Sequence, residues 1–148
     1  MAQLGGLLPT PRAANHLVNL YRPVRIGVPA TDLPAFASSS GPAPYQAIQI
    51  LLAVLAGTPS AAEELFRRLL ACPDGEASIS SLLDGSAQGQ SPYERLTPVL
   101  PGVLRDLEAV QPIPLEVGHY RRWCTELACY SFHTRELFPT ASEPPTGR

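Results

Sequence analysis

The side chains that most often carry chemistry are few and scattered in this sequence. They are His16, His119, His133, Cys72, Cys124 and Cys129. Neither the histidines nor the cysteines have the spacing of a zinc site, so we expect no metal and assign no catalytic residue. A small enzyme that uses Cys124 or Cys129 is our lowest-ranked hypothesis, because nothing in the sequence marks either thiol as activated.

Arg12 has the most distinctive position among the charged residues. It lies in the first turn of a predicted helix and is the only charge there. The helix dipole opposes a cation at this end but favours an anion, to which a guanidinium adds paired donors. Arg12 is therefore mildly unfavourable alone and favourable beside a phosphate. The alternative is that Arg12 is simply solvated, at a cost of about 0.5 kcal/mol or less.

The chain contains no lysine, since all its basic residues are arginine. A phosphate-binding P-loop requires a lysine, and no GxxxxGK[ST] motif is present. Schiff-base chemistry is excluded for the same reason. We therefore expect neither an independent ATPase of the P-loop class nor a bound cofactor, and we classify the chain as a non-enzyme.

The composition favours one globular domain and argues against nucleic acid and membranes as partners. Hydrophobic residues make up 45% of the chain and charged residues 16%, with a net charge of −2. Such a chain has no general attraction to nucleic acid or to anionic lipid. The longest apolar run, Ala47 to Ala56, is interrupted by Gln49 and is too short to span a bilayer. An odd number of cysteines without a signal peptide indicates the cytoplasm.

The spacing of apolar residues predicts an all-α fold, an irregular bundle of about five to six helices with long Pro/Gly-rich loops. We place an N-terminal extension at 1–9, a single helical domain at 10–138 and a disordered tail at 139–148. The first helix begins at Thr10 as the cap, with Pro11 at the first helical position. Pro23 is expected to kink or end it, with one further turn to Val28. Thr31 to Pro44 is expected to be a loop containing one short turn.

The sequence predicts a helical hairpin from Tyr45 to Ala71. Tyr45 to Ala56 is apolar nearly all round, as in a central core helix, with Gln46 and Gln49 as its polar edge. Gly57 is a natural C-terminal cap. Ser60 to Glu63 has the pattern of a capping box and predicts the start of the second helix.

The second half is expected to contain shorter pieces. We predict a turn at Cys72 to Gly75, a short helix at Ser78 to Leu83 and a loop at 86–92. A short helix before Pro98 precedes a better one from about Gly102 to Val110. A long final helix is predicted from Glu116 to Leu137, with an apolar set that includes Trp123 and Phe138.

The stretch TPRAANHLVNLYR resembles the segment that opens the C-terminal helical part of KAP-like P-loop NTPases and related AAA+-type proteins. That pattern runs Pro-Arg, two small or variable residues, a basic pair, an apolar pair, Asn, an apolar residue and Tyr-Arg. The matching residues are Pro11, Arg12, Leu17, Val18, Asn19, Leu20, Tyr21 and Arg22. RRWCTELACYSF, Arg121 to Phe132, also resembles a tryptophan-containing C-terminal helix of such bacterial proteins. Two departures are Asn15 with His16 in place of the basic pair, and Pro23 in place of an apolar residue.

The resemblance implies that Arg12 is a nucleotide sensor, which reaches from a helical lid to a γ-phosphate held by a separate core. The first hypothesis is therefore a lid-like accessory domain of a bacterial P-loop NTPase that lacks the core and acts through protein contacts. The second is an unrelated helical protein-interaction module. A P-loop NTPase core or a homo-oligomer is the expected partner. Further interaction candidates are Arg22, Arg121, Arg122 and Trp123, although the two adjacent arginines also suit the wet edge of an amphipathic helix.

Overall fold

The computed structural model describes residues 2–38, 40–72, 77–83 and 92–137. These ranges contain helices and no β-strand, so the predicted all-α irregular bundle is confirmed. The α-helices are α1 (Pro11–Gly27), α2 (Leu33–Phe36), α3 (Pro44–Gly57), α4 (Pro59–Ala71), α5 (Leu100–Glu108), α6 (Val117–Ala128) and α7 (Phe132–Arg135). Three 3-10 helices span Ala2–Leu7, Ile79–Leu82 and Pro92–Arg95. Most of the predicted turn at 72–75 and of the loop at 86–92, together with Phe138 and the tail, lies outside the described residues.

Helix α1 begins where the sequence predicted. The Thr10 side chain accepts a hydrogen bond of 3.1 Å from the Ala13 amide, and Pro11 opens the helix. The helix then continues through Pro23 to Gly27. Pro23 and Asn19 are both exposed. Pro23 has no amide hydrogen to donate to the Asn19 carbonyl. That carbonyl lies on the solvent-exposed side of the helix, where water can hydrogen-bond to it.

Helix α3 is the centre of the core, as predicted, and packs against α1, α4 and α6. Its polar edge was predicted wrongly, because Gln46 is buried. The Gln46 side chain accepts from the Ala43 amide at 2.8 Å and donates to the Pro112 carbonyl at 2.9 Å. A buried amide with both ends paired costs little, so Gln46 joins the helix start to a distant segment.

Gly57 ends α3 without adopting the left-handed conformation of a C-terminal glycine cap. A Cβ atom at this position would lie 1.8 Å from the Leu7 carbonyl oxygen. Leu7 belongs to the first 3-10 helix, whose Leu4 and Leu7 are both in the core. Gly57 is therefore required by close backbone approach rather than by its φ angle.

The predicted capping box at Ser60 is wrong. The cap position of α4 is Thr58, two residues earlier, the helix begins at Pro59, and no side chain caps it. Proline has a φ angle suited to the first helical position, so the helix begins before Ser60. Glu63 does not reach back to a cap but pairs with Arg67 at 2.6 Å.

The predicted long final helix is also wrong, because residues 129–131 separate α6 from α7. The buried Thr134 hydroxyl donates to the Ala128 carbonyl at 2.8 Å, at the end of α6. The Ser131 hydroxyl accepts from the His133 amide at 3.3 Å and caps α7. These side chains satisfy backbone groups at the break, so the chain can turn there.

The shorter predicted helices are found with shifted bounds. The expected helix at Ser78 to Leu83 is the 3-10 helix Ile79–Leu82, and the one before Pro98 is the 3-10 helix Pro92–Arg95. The next helix, α5, begins at Leu100 rather than at Gly102.

Arg68 on α4 contacts two of the 3-10 helices, Ile79–Leu82 and Pro92–Arg95. Its guanidinium donates to the Leu82 carbonyl at 3.2 Å and lies 4.3 Å from the centre of the Tyr93 ring. The Tyr93 hydroxyl donates to the same Leu82 carbonyl at 3.1 Å. Glu64 orients Arg68 through an ion pair of 2.9 Å and has its own pKa lowered by the hydrogen bond from Arg68.

Candidate functional site

The Arg12 side chain is exposed and makes no hydrogen bond or ion pair with the described part of the chain. It lines a groove of about 510 Å³. Asn15, His16 and Asn19, which follow at one-turn intervals on α1, line the same groove. The start of α1 therefore presents a polar surface with one unpaired guanidinium.

The end of α3 also lines the groove around Arg12. Ala56 and Gly57, the last residues of α3, line the groove opposite α1. The C-terminal end of a helix carries a partial negative charge, which attracts a cation. Arg12 therefore shares this groove with the C-terminal end of α3.

The five predicted site residues do not form one site. Arg12 and Arg22 are ten residues apart on α1, which is about 15 Å along the axis. Arg22 is exposed and lines an apolar groove with Ile26 and Leu33. Arg121 on α6 donates to the Cys72 carbonyl at 3.1 Å, at a different face. Arg121 is thus a structural contact in this fold.

Arg122 and Trp123 are neighbours in the sequence and also contact each other through their side chains. The Arg122 guanidinium lies 5.6 Å from the centre of the Trp123 ring. Both residues line a groove of about 530 Å³ between α1, α2 and α6. Its volume falls within the range of small-molecule sites.

This groove has an aromatic wall and a charged rim. Phe36 of α2 meets the Trp123 ring edge-on, with 6.4 Å between ring centres, and Tyr130 follows α6. Asp32 and Glu126, both exposed, are its acidic residues, and Arg122 is its basic one. The arrangement can hold an apolar body against the rings and a charged group at the rim.

Sequence reasoning missed Asp32, Phe36, Glu126 and Tyr130 as members of this groove. A signal was present in the sequence, where Arg122, Glu126 and Tyr130 recur at intervals of four residues and would share a face of the predicted helix from Glu116 to Leu137. The contribution of α2 had no such signal. Residues 31–44 were predicted to be a loop with one short turn, and that turn is found as α2. The contact between Phe36 and Trp123 is entirely tertiary, so the sequence could not predict it.

The cysteines and histidines do not converge. The described ranges contain no group of three His, Cys, Asp or Glu residues able to hold a metal ion. Cys124 is fully buried, and burial raises the pKa of its thiol to about 12 although Arg121 acts in the opposite direction. Burial therefore disfavours the thiolate that a cysteine nucleophile requires. Cys129 is exposed, and its thiol donates to the Glu126 carbonyl at 3.0 Å.

None of the helices in the described residues is both long enough and apolar enough to cross a bilayer. The chain matches no protein-family model, no curated protein and no solved structure.

Proposed function

We propose that this chain is a helical accessory domain that acts through contacts with another protein, namely the core of a P-loop NTPase. In this proposal Arg12 reaches from the first turn of α1 to the γ-phosphate of a nucleotide held by that core. The supporting observation is that the Arg12 guanidinium is exposed and unpaired within the described residues. The partner and its bacterial setting are taken from the resemblance of the α1 sequence.

The chemistry of the chain requires the partner to supply the phosphate cradle. A P-loop binds the β- and γ-phosphates with a lysine and successive backbone amides, and this chain has no lysine. An arginine supplied in trans stabilises the charge that develops on the transferred phosphoryl group. The groove around Arg12 is thus proposed to close over a triphosphate that it does not bind alone.

The test first looks for an open reading frame with a Walker A motif directly upstream of the gene for this chain, whose absence would count against the proposal. It then measures ATP hydrolysis by the protein that this reading frame encodes. Wild-type chain should stimulate hydrolysis, and Arg12→Ala should lose at least about tenfold of that stimulation, because one trans arginine is worth about 10³ or more in such enzymes. Arg105→Ala is the matched control, since Arg105 is exposed on α5 and does not line the Arg12 groove. Equal stimulation by Arg12→Ala and wild type would refute the role of Arg12. No stimulation by the wild-type chain would favour the second hypothesis, an unrelated helical interaction module.

A further inference from the structure

We propose that the groove between α1, α2 and α6 binds a small organic ammonium ion that carries an apolar body. This groove contains none of the residues that line the Arg12 groove. The proposal therefore does not depend on the P-loop NTPase proposal, and either can fail alone.

The aromatic wall supplies the first argument. A cation over the face of Trp or Tyr is attracted by the ring quadrupole, and aromatic-lined pockets are a recurrent way to bind quaternary ammonium groups. Trp123 and Tyr130 are both half-buried, so part of each remains accessible. Phe36 is buried and contacts both Trp123 and Tyr45, with 6.4 Å between ring centres in each case. The wall is thus held by packing before any ligand arrives.

The charges of the groove supply the second argument. Two carboxylates, Asp32 and Glu126, line it together with one guanidinium, Arg122. Arg122 makes no ion pair with either carboxylate in the described structure and lies over Trp123 instead. Among the described residues, the Asp32 carboxylate accepts a hydrogen bond from the Thr31 hydroxyl alone, at 3.1 Å. The rim therefore carries a net negative charge, which complements a cation and opposes an anion.

The geometry of Arg122 supplies the third argument. Its guanidinium already occupies a cation position against the Trp123 ring, at 5.6 Å from the ring centre. Arg122 is exposed, so its side chain can move into water at little cost. A ligand ammonium would take this position and would interact with the carboxylates from there. Arg122 thus acts as an internal competitor for the ligand.

Choline and its neutral isostere 3,3-dimethylbutan-1-ol test the proposal, because they share a shape and differ in charge. Trp123 is the only tryptophan of the chain, so intrinsic fluorescence reports directly on this groove. We expect a saturable change with choline at a Kd of about 1 mM or tighter, and binding of the isostere at least about tenfold weaker. Equal binding of both compounds, or no saturable change with choline, would overturn the proposal.

Three variants separate charge recognition from a general effect on the fold. Asp32→Asn and Glu126→Gln should each weaken choline binding by about threefold to tenfold, since each removes one attractive charge. Arg122→Gln should strengthen binding by a similar factor, because it removes the competitor and a like charge. Glu108→Gln is the control, since Glu108 is exposed on α5 and does not line the groove.

Isothermal titration calorimetry is the measurement for the variants, because replacing Arg122 alters the fluorescence of its neighbour. All three groove charges are exposed, so these neutral substitutions leave the packed core unchanged. Weaker binding by Arg122→Gln, or an effect of Glu108→Gln equal to that of Glu126→Gln, would contradict the assignment.

Discussion

Gln46 illustrates how one polar side chain can belong to the core of a helical protein. It is 4% exposed and pairs at both ends, with the Ala43 amide and with the Pro112 carbonyl. Its position on an apolar helix predicted a solvent-exposed polar edge. Periodicity shows which face of a helix is more polar than the others, but it does not show what covers that face. The partner carbonyl lies 66 residues away, which no local pattern can reveal.

Replacing Gln46 by leucine should therefore destabilise the protein. Gln46→Leu keeps the volume but leaves a buried amide at Ala43 and the Pro112 carbonyl without their partner, at a cost of about 1–3 kcal/mol. Urea denaturation measures the free energy of unfolding. Gln3→Leu is the matched control, because Gln3 is half-buried and makes no hydrogen bond among the described side chains. An equal loss of stability in both variants would refute this account of Gln46.

At the scale of helices, the sequence predicted some helix limits correctly and others wrongly. Thr10 and Pro11 define the start of α1 by local chemistry, and that boundary is correct. The helix limits that were predicted wrongly depend on contacts between residues remote in sequence, or on two local signals that compete for the same helix start. Pro59 overrides the capping pattern at Ser60, and Thr134 reaches back to end α6. The existence and order of the main helices were therefore predictable, whereas several of their limits were not.

Gly57 tests whether close approach, rather than backbone conformation, fixes the end of α3. Gly57→Ala should destabilise the fold by about 1–3 kcal/mol, because the new Cβ forces apart α3 and the Leu7 backbone. Gly102→Ala is the control, since a Cβ at Gly102 meets nothing within 4 Å. In the interior of α5 that change should instead stabilise by about 0.5–1 kcal/mol. Thermal unfolding followed by circular dichroism measures both, and a neutral Gly57→Ala would contradict the steric account.

At the scale of the whole molecule, the sequence predicted the class of fold but not its grooves. Apolar spacing and proline content were sufficient for an all-α bundle around a central α3. The groove between α1, α2 and α6 is made by a four-residue helix from a predicted loop, packed on residues about ninety positions later. Such a surface arises only when the helices are assembled.

The burial of weakly acidic side chains should make the folded protein less stable at alkaline pH. Burial raises the pKa of Tyr120 and Cys124, the latter to about 12. A raised acid pKa leaves stability intact below the ordinary pKa and removes it as pH rises, because the unfolded chain loses its protons first. The urea midpoint should therefore fall from about pH 9 upward, and less steeply in Cys124→Ala. An identical slope in Cys124→Ala and wild type would rule out the buried thiol as a cause.

The contacts of Arg68 also indicate where the chain can accept new termini or an inserted domain. Leu82 and Tyr93 stand on either side of residues 84–91, and one guanidinium on α4 contacts both of them. New termini or an inserted domain between these two anchors would leave each flank attached to the same helix. A circular permutation at this point thus preserves the contacts of Arg68 with Leu82 and Tyr93, which join the two halves of the chain.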